Sequence, residues 1–426
     1  MKIKKDTIIL STFILIVLIG LALRAYSLTL NIYNFNLYGD AKSYFLMAEQ
    51  WVQEGIYGYD TLKRSGVSNA YVTPGYPVYL YVIMKLFKNA QMQIIIARIG
   101  QMLISAAAPV FAYLFVKVFL KRRDIALLTC LFVAVYPTYI EAQNILYTEP
   151  LALTTMLIYF YLAAIGIQKK SAIISVLAGI SFAIHIMIRP AMLPLVLAPY
   201  VYLLTIKVPI KTVFKYFAQT VSGFLIIFIP WWIRNYMALH SIVLLATQSG
   251  NPLLKGTYPY MNNYLNDVPQ SVLDDVSLQK TFALERIKNG FQSDFWLYLK
   301  WYTLGKIGVM FKTPWLYNHM LFQSPWNYVH ILWLYPFYPF IHGIYSCLGL
   351  LGLIIGSIFN KAIRFLSVYG VLYLVLYLVF IPINRYAYQH MFFLMIAAAY
   401  IICTLASKVF DTTWRYVSRT DNSVDF

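Results

Sequence analysis

Two carboxylates and three arginines stand at the edges of long apolar stretches, where a charge is costly and needs a reason to be present. Asp40 lies in Tyr38-Gly39-Asp40-Ala41-Lys42 and Glu149 in Tyr147-Thr148-Glu149-Pro150. Carboxylates from two different loops, brought together, serve as a base, a metal ligand or a substrate clamp. Each also has a local reading. Asp40 suits a helix N-cap, Glu149 complements a helix macrodipole, and Glu141 is an alternative carboxylate nearby. The arginines are Arg189, Arg234 and Arg385, joined by Lys255 and Lys306. Guanidinium forks match phosphate oxygens, so the set favours an anionic pocket, whereas a single one could anchor a lipid headgroup. His185 reads as an interior histidine. His240, His319, His330, His342 and His390 show no metal-ligand spacing. No cofactor is assigned and the metal is unknown; a divalent cation shared by Asp40 and Glu149 stays open.

The elements that must position these groups are membrane helices. Of 426 residues, 60% are apolar and 12% charged, with mean hydropathy +0.64. A water-soluble fold of this size could not cover such a surface. The formal charge of +18 does not indicate nucleic acid, because the basic residues fall in short clusters between apolar stretches, as positive-inside topology requires. Cys130, Cys347 and Cys403 lie in apolar runs and read as small hydrophobes. With about 20 apolar residues needed per crossing, ten spans are read at 8–26, 94–118, 125–140, 149–167, 172–188, 191–206, 216–233, 337–358, 365–382 and 390–407. The N-terminal run resembles a signal peptide but lacks a clean cleavage site, so it is read as an uncleaved first span. Lys2, Lys4 and Lys5 place the N-terminus in the cytoplasm. The clusters at 117–123, 169–170, 207–215 and 361–364 alternate with the spans, and Lys408, Arg415 and Arg419 place the C-terminus inside as well.

Two long segments then face outward. The first outer loop, 27–93, holds an amphipathic stretch, Ala41 to Glu54, ended by Gly55 as a C-cap. After the polar loop 60–69 comes a second short apolar helix, to about Phe87; both read as interfacial. The second segment, 234–336, opens turn-rich and becomes very aromatic from Phe295, with Trp296, Trp301, Trp315, Trp326 and Trp333. Trp and Tyr favour the headgroup level, so 295–313 is read as interfacial rather than as an extra span. The chain thus divides into a membrane module 1–233, the outer segment 234–336 and C-terminal helices with a short tail, 337–426. Neither tandem repeats nor the inverted halves of secondary transporters are visible.

In order along the chain, several motifs resemble those of GT-C-type glycosyltransferases that use polyprenyl-phosphate sugars, among them the protein O-mannosyltransferases and the lipid A aminoarabinose transferases. They are Asp40 with Tyr44 one turn later; Tyr71-Val72-Thr73-Pro74-Gly75-Tyr76-Pro77; Thr148-Glu149-Pro150; Arg189-Pro190; Pro230-Trp231-Trp232-Ile233-Arg234-Asn235-Tyr236; the stretch from Ser249 to Gly256; and Arg385-Tyr386. Thr73 stands where the aminoarabinose transferases have Lys, and Ala41 where the O-mannosyltransferases have Glu, which leaves the broader class. The resemblance implies an all-α, polytopic GT-C fold. It implies a sugar donor on a polyprenyl phosphate at the outer leaflet, and an external acceptor that is a lipid, a glycan or a protein. It further implies catalytic roles for Asp40 and Glu149, with Asp40 as base in an inverting transfer. Tyr44, Tyr71, Arg189, Arg234, Lys255, Lys306, Arg385 and Tyr386 would bind donor or acceptor. The rival readings are a transporter or flippase of envelope lipids, and a non-catalytic assembly partner.

Overall fold

A computed structural model describes residues 2–409 except 249, 263, 318–330 and 332. Ser249, His319, Trp326, His330, Arg415 and Arg419 therefore lie outside the described residues. The elements are helices: α1 (Lys2–Asn31), α2 (Gly39–Glu54), α3 (Gly75–Leu86), α4 (Ala90–Ala106), α5 (Ala108–Leu120), α6 (Arg123–Val135), α7 (Pro137–Glu141), α8 (Glu149–Gln168), α9 (Ala172–Ile188), α10 (Ala198–Thr205) and α11 (Ile210–Leu239). The outer segment adds α12 (Gly250–Lys255), α13 (Gln270–Asp274), α14 (Val276–Ser293), α15 (Phe295–Lys300) and α16 (Lys306–Phe311). The chain then closes with α17 (Tyr338–Phe359), α18 (Lys361–Leu378) and α19 (Ala387–Val409). The fold is all-α.

Each of the ten apolar stretches forms helix, but not all are straight spans. Among the described residues, seven helical segments are long and apolar enough to cross a membrane, and α6 with the turn after it would make an eighth, bent by 57°. Pro137, which cannot continue the hydrogen-bond ladder, sits at that bend. The stretches 172–188 and 190–205 are shorter. Between them the chain breaks at Arg189-Pro190, and Pro194 holds the next turns in a tighter 3₁₀ path before α10. The stretch 295–311 is helical but passes through a π-helical turn at Trp301–Gly305 and is not among the candidate spans.

Local signals explain the ends. Gly55 closes α2 with φ 74°, its amide donating to Trp51 O, the left-handed C-cap expected of glycine. Asn89, Ser171 and Asn360 cap α4, α9 and α18 through their side chains. α8 carries no polar face and is packed on most sides, so it is the central post of the bundle. α9 and α11 cross closely because both offer glycine: a Cβ at Gly179 would meet Thr220 O at 1.9 Å, and one at Gly223 would meet Val176 O at 2.0 Å. Small residues at such crossings let backbones approach where no hydrophobic drive separates protein from lipid.

Candidate active site

Four chain breaks meet at one end of the bundle and bring the separated charges into one row. Asp40 sits in the first turn of α2, Glu149 in the first turn of α8, Arg189 just after α9, and Arg385 in the short turn before α19. Both carboxylates therefore lie where the helix macrodipole favours negative charge. Gly39, at φ +53°, turns the chain into α2 directly beneath the Tyr147 hydroxyl, which would lie 3.2 Å from any Cβ there. Only glycine takes that backbone conformation without strain.

The row is Asp40–Arg385–Glu149–Arg189. Arg385 Nη1 donates to Asp40 Oδ2 at 2.6 Å. Its Nε lies 3.0 Å from Glu149 Oε1, an ion-pair contact whose N–H is not aligned for a hydrogen bond. Arg189 Nη1 donates to Glu149 Oε1 at 2.5 Å and to Thr148 Oγ1 at 3.3 Å, and its Nε to the Tyr377 hydroxyl at 3.3 Å. Two rings cover the guanidinium faces: Tyr147 under Arg385 at 4.9 Å and Tyr386 under Arg189 at 5.3 Å. Side-chain exposure rises along the row, from 0% at Glu149 through 20% at Arg385 to 42% at Asp40. Asp40 is the more open of the two carboxylates, and Glu149 is closed in by Arg189 and Arg385.

The helix-cap reading of Asp40 does not hold. Tyr38 occupies the cap position and no side chain caps α2, while Asp40 Oδ2 accepts from Arg385. Glu141 is not part of the row either; it accepts from the Ile331 amide at 3.1 Å and from the Tyr338 hydroxyl, at the start of α17.

The row borders a cavity of about 550 Å³, lined among others by Asp40, Tyr44, Arg189, Arg385, Tyr386 and the apolar residues Leu193, Leu376 and Phe380. That is within the on-the-order-of 300–1,000 Å³ range of small-molecule sites. Burial, then Tyr59 and Asp40, push the Tyr44 hydroxyl well above its ordinary value, so it stays a donor. Tyr71 stands behind the lining, stacked on Tyr59 at 5.3 Å with planes 4° apart. Lys255 ends α12; burial lowers it while Asp40 supports its charge.

Two predicted residues are engaged elsewhere. Arg234 donates to the carbonyls of Asn69 and Tyr57 at 3.0 and 2.9 Å, pinning the first loop to the end of α11. Lys306 is fully buried, its Nζ 2.7 Å from Leu378 O and 3.0 Å from Phe380 O. Those carbonyls lie at the end of α18, where helix acceptors lack partners. Burial brings Lys306 down to about 7, and its Nζ lies 3.8 Å from the centre of the Tyr302 ring. Conversely, Tyr59, Gln248 and Tyr377 line the cavity without having been singled out. For Tyr377 a signal existed: Tyr369, Tyr373 and Tyr377 form a polar stripe at i, i+4, i+8 on one helix face.

Among the described residues no cluster of three or more His, Cys, Asp or Glu is placed to hold a metal ion. The Arg385 guanidinium stands between Asp40 and Glu149, so the pair does not form the joint donor set considered for a shared cation, and no step is derived through one.

Residues 72–233 match the family model of dolichyl-phosphate-mannose-protein mannosyltransferases. No curated protein matches the chain by sequence. Among solved structures, the Archaeoglobus fulgidus oligosaccharyltransferase in its apo form aligns over 97% of this chain and 52% of its own, with 12% identity and TM-score 0.56. The same organism's oligosaccharyltransferase AglB, in complex with an inhibitory peptide and a dolichol-phosphate, aligns over 99% and 53%, with 13% identity and TM-score 0.56. The chain thus spans about half the length of these structures. ArnT from Cupriavidus metallidurans bound to undecaprenyl phosphate aligns over 93% and 79%, with 14% identity and TM-score 0.42. The expected GT-C fold is borne out, and the chain is a multi-pass membrane protein of that fold.

Proposed function

We propose that this chain is a glycosyltransferase that moves a sugar from a polyprenyl-phosphate carrier to an acceptor on the outer side of the membrane. The observation that carries this reading is the charge row at the mouth of a mostly apolar cavity: an accessible carboxylate beside guanidinium groups, all at helix ends. The family match over 72–233 and the dolichol-phosphate held by AglB support a polyprenyl-phosphate donor. In the step envisaged, the acceptor hydroxyl oxygen attacks the anomeric carbon as the bond from that carbon to the carrier phosphate oxygen breaks. The hydroxyl proton passes to Asp40, whose Oδ1 is left over from the bond to Arg385. The departing phosphate takes the bonding electrons and gains a negative charge, which Arg385, Arg189 and Lys255 would stabilise. Tyr44 and Tyr386 line the path and would orient the sugar. A transporter would place its decisive charges nearer the middle of the helices, and an assembly partner would have no need of Asp40.

The test is transfer from a synthetic polyprenyl-phosphate sugar panel by the purified protein. Asp40→Asn should fold normally and lose roughly 10²–10⁴-fold in turnover, the range of general-base catalysis. Near wild-type turnover of that variant would remove Asp40 as the base.

A further inference from the structure

Lys306 carries a cost that the charge row does not explain. Its side chain is fully buried, where a lysine needs partners to be tolerated. Those partners are backbone carbonyls: Nζ lies 2.7 Å from Leu378 O, 3.0 Å from Phe380 O and 3.5 Å from Val379 O. The π-helical turn at Trp301–Gly305 puts it there. In an α-helix, residues five apart point about 140° away from each other; with i to i+5 bonding they share a face. Trp301 and Lys306 therefore leave the outer segment side by side, with Nζ 5.7 Å from the centre of the indole ring.

The two side chains grip α12 from two directions. The Trp301 indole, also fully buried, donates to Gly256 O at 3.0 Å. The Ile381 amide, one residue past the carbonyls that Lys306 holds, donates to Pro252 O at 2.9 Å. Gly256 lies flat on the same stretch: a Cβ there would stand 2.5 Å from the Phe380 carbonyl carbon. Lys255 is therefore bracketed, with Pro252 three residues before it tied to Ile381 and Gly256 after it tied to Trp301. Lys255 is the cation whose charge Asp40 favours, and Pro252 and Phe380 line the cavity. Carbonyls at a helix end have no donor within the helix, so the lysine holds the stretch that in turn holds α12.

We infer that Lys306 is a positioning residue for Lys255: by holding the carbonyls at 378–380 it seats α12 so that Lys255 stands beside the charge row. This role rests on the proposed reading of Lys255 as a partner of the departing phosphate. Hydrogen–deuterium exchange and a binding titration with undecaprenyl phosphate, both on the purified full-length protein, test it. Lys306→Met keeps the length of the side chain without its donors. It should speed exchange at the amides of 253–257 and Ile381 by roughly tenfold and weaken undecaprenyl phosphate binding by roughly tenfold. Should that variant fail to fold, Trp301→Phe, which keeps a ring but loses the donor to Gly256, carries the same readouts with roughly threefold changes. Added to Lys255→Met, either substitution should weaken binding no further, because a group that acts through Lys255 then has nothing to act on. Unchanged exchange, faster exchange with unchanged affinity, or additive losses in the double variant would each overturn the inference; the second is the pattern of a merely structural lysine. A wild type that binds no undecaprenyl phosphate would overturn the transferase reading and the positioning role with it, a failure visible before any substitution is made.

Discussion

At the scale of single residues, Glu149 and Arg385 have separable tasks although they touch. Glu149 has no solvent exposure and two guanidinium partners. Removing its charge would leave two buried arginines facing each other. Breaking a buried pair in this way costs about 3–5 kcal/mol, so Glu149→Gln should lower the thermal midpoint well below that of Asp40→Asn. Equal midpoints for the two variants, read by thiol-reactive dye fluorescence in detergent, would show that Glu149 does not hold the row together. Arg385 joins the row on both sides but also lines the cavity. Arg385→Ala should weaken donor binding by about 10- to 100-fold, the loss of one charge-assisted contact of roughly 1.5–3 kcal/mol. Unchanged donor affinity in a binding titration would refute its phosphate role. Asp40, Glu149, Arg189 and Arg385 were legible as candidates because charges at membrane edges are rare. Their pairing order was not, since Asp40 and Arg385 are 345 residues apart. Arg234 and Lys306 looked alike in sequence, but each answers carbonyls 165 and 72 residues away, which no spacing rule exposes.

At the scale of elements, the row depends on helices stopping where they do. α9 delivers Arg189, and its position rests on the crossing with α11, where glycine is required at 179 and 223 by backbone carbonyls about a bond length and a half from any added Cβ. Gly179→Leu should force the two helices apart and destabilise the protein by about 1–3 kcal/mol, the usual cost of overpacking. Because Arg189 moves with its helix, donor affinity should fall too. Gly308, with open space where a Cβ would go, is the control: Gly308→Ala should leave both readouts unchanged. A Gly179→Leu protein with wild-type midpoint would mean that this crossing does not set the register. Apolar periodicity and caps made α2, α3 and the ten apolar stretches readable. The bends were harder: Pro137, Pro190 and Pro194 could be seen, but whether a proline kinks a span or ends it depends on what packs around the freed carbonyls.

At the scale of the whole molecule, the remaining question is which face of the membrane the row occupies. The charge row and the first loop share one end of the bundle, and Arg234 ties that loop to α11. The lysine clusters at 121, 169–170 and 361 follow helices that start or finish at the other end. Basic loops stay in the cytoplasm because their transfer across the membrane is disfavoured, so the row should face outward, the side on which the proposed transfer needs its acceptor. Single cysteines at Ser68 and Lys169, both exposed, test this in a background where the exposed Cys347 is replaced by serine. An impermeant maleimide should label position 68 in intact cells and position 169 only after permeabilisation. The reverse pattern would turn the protein over and move the proposed reaction to the cytoplasmic face. The row itself would survive that result; its acceptor would have to be a cytoplasmic one.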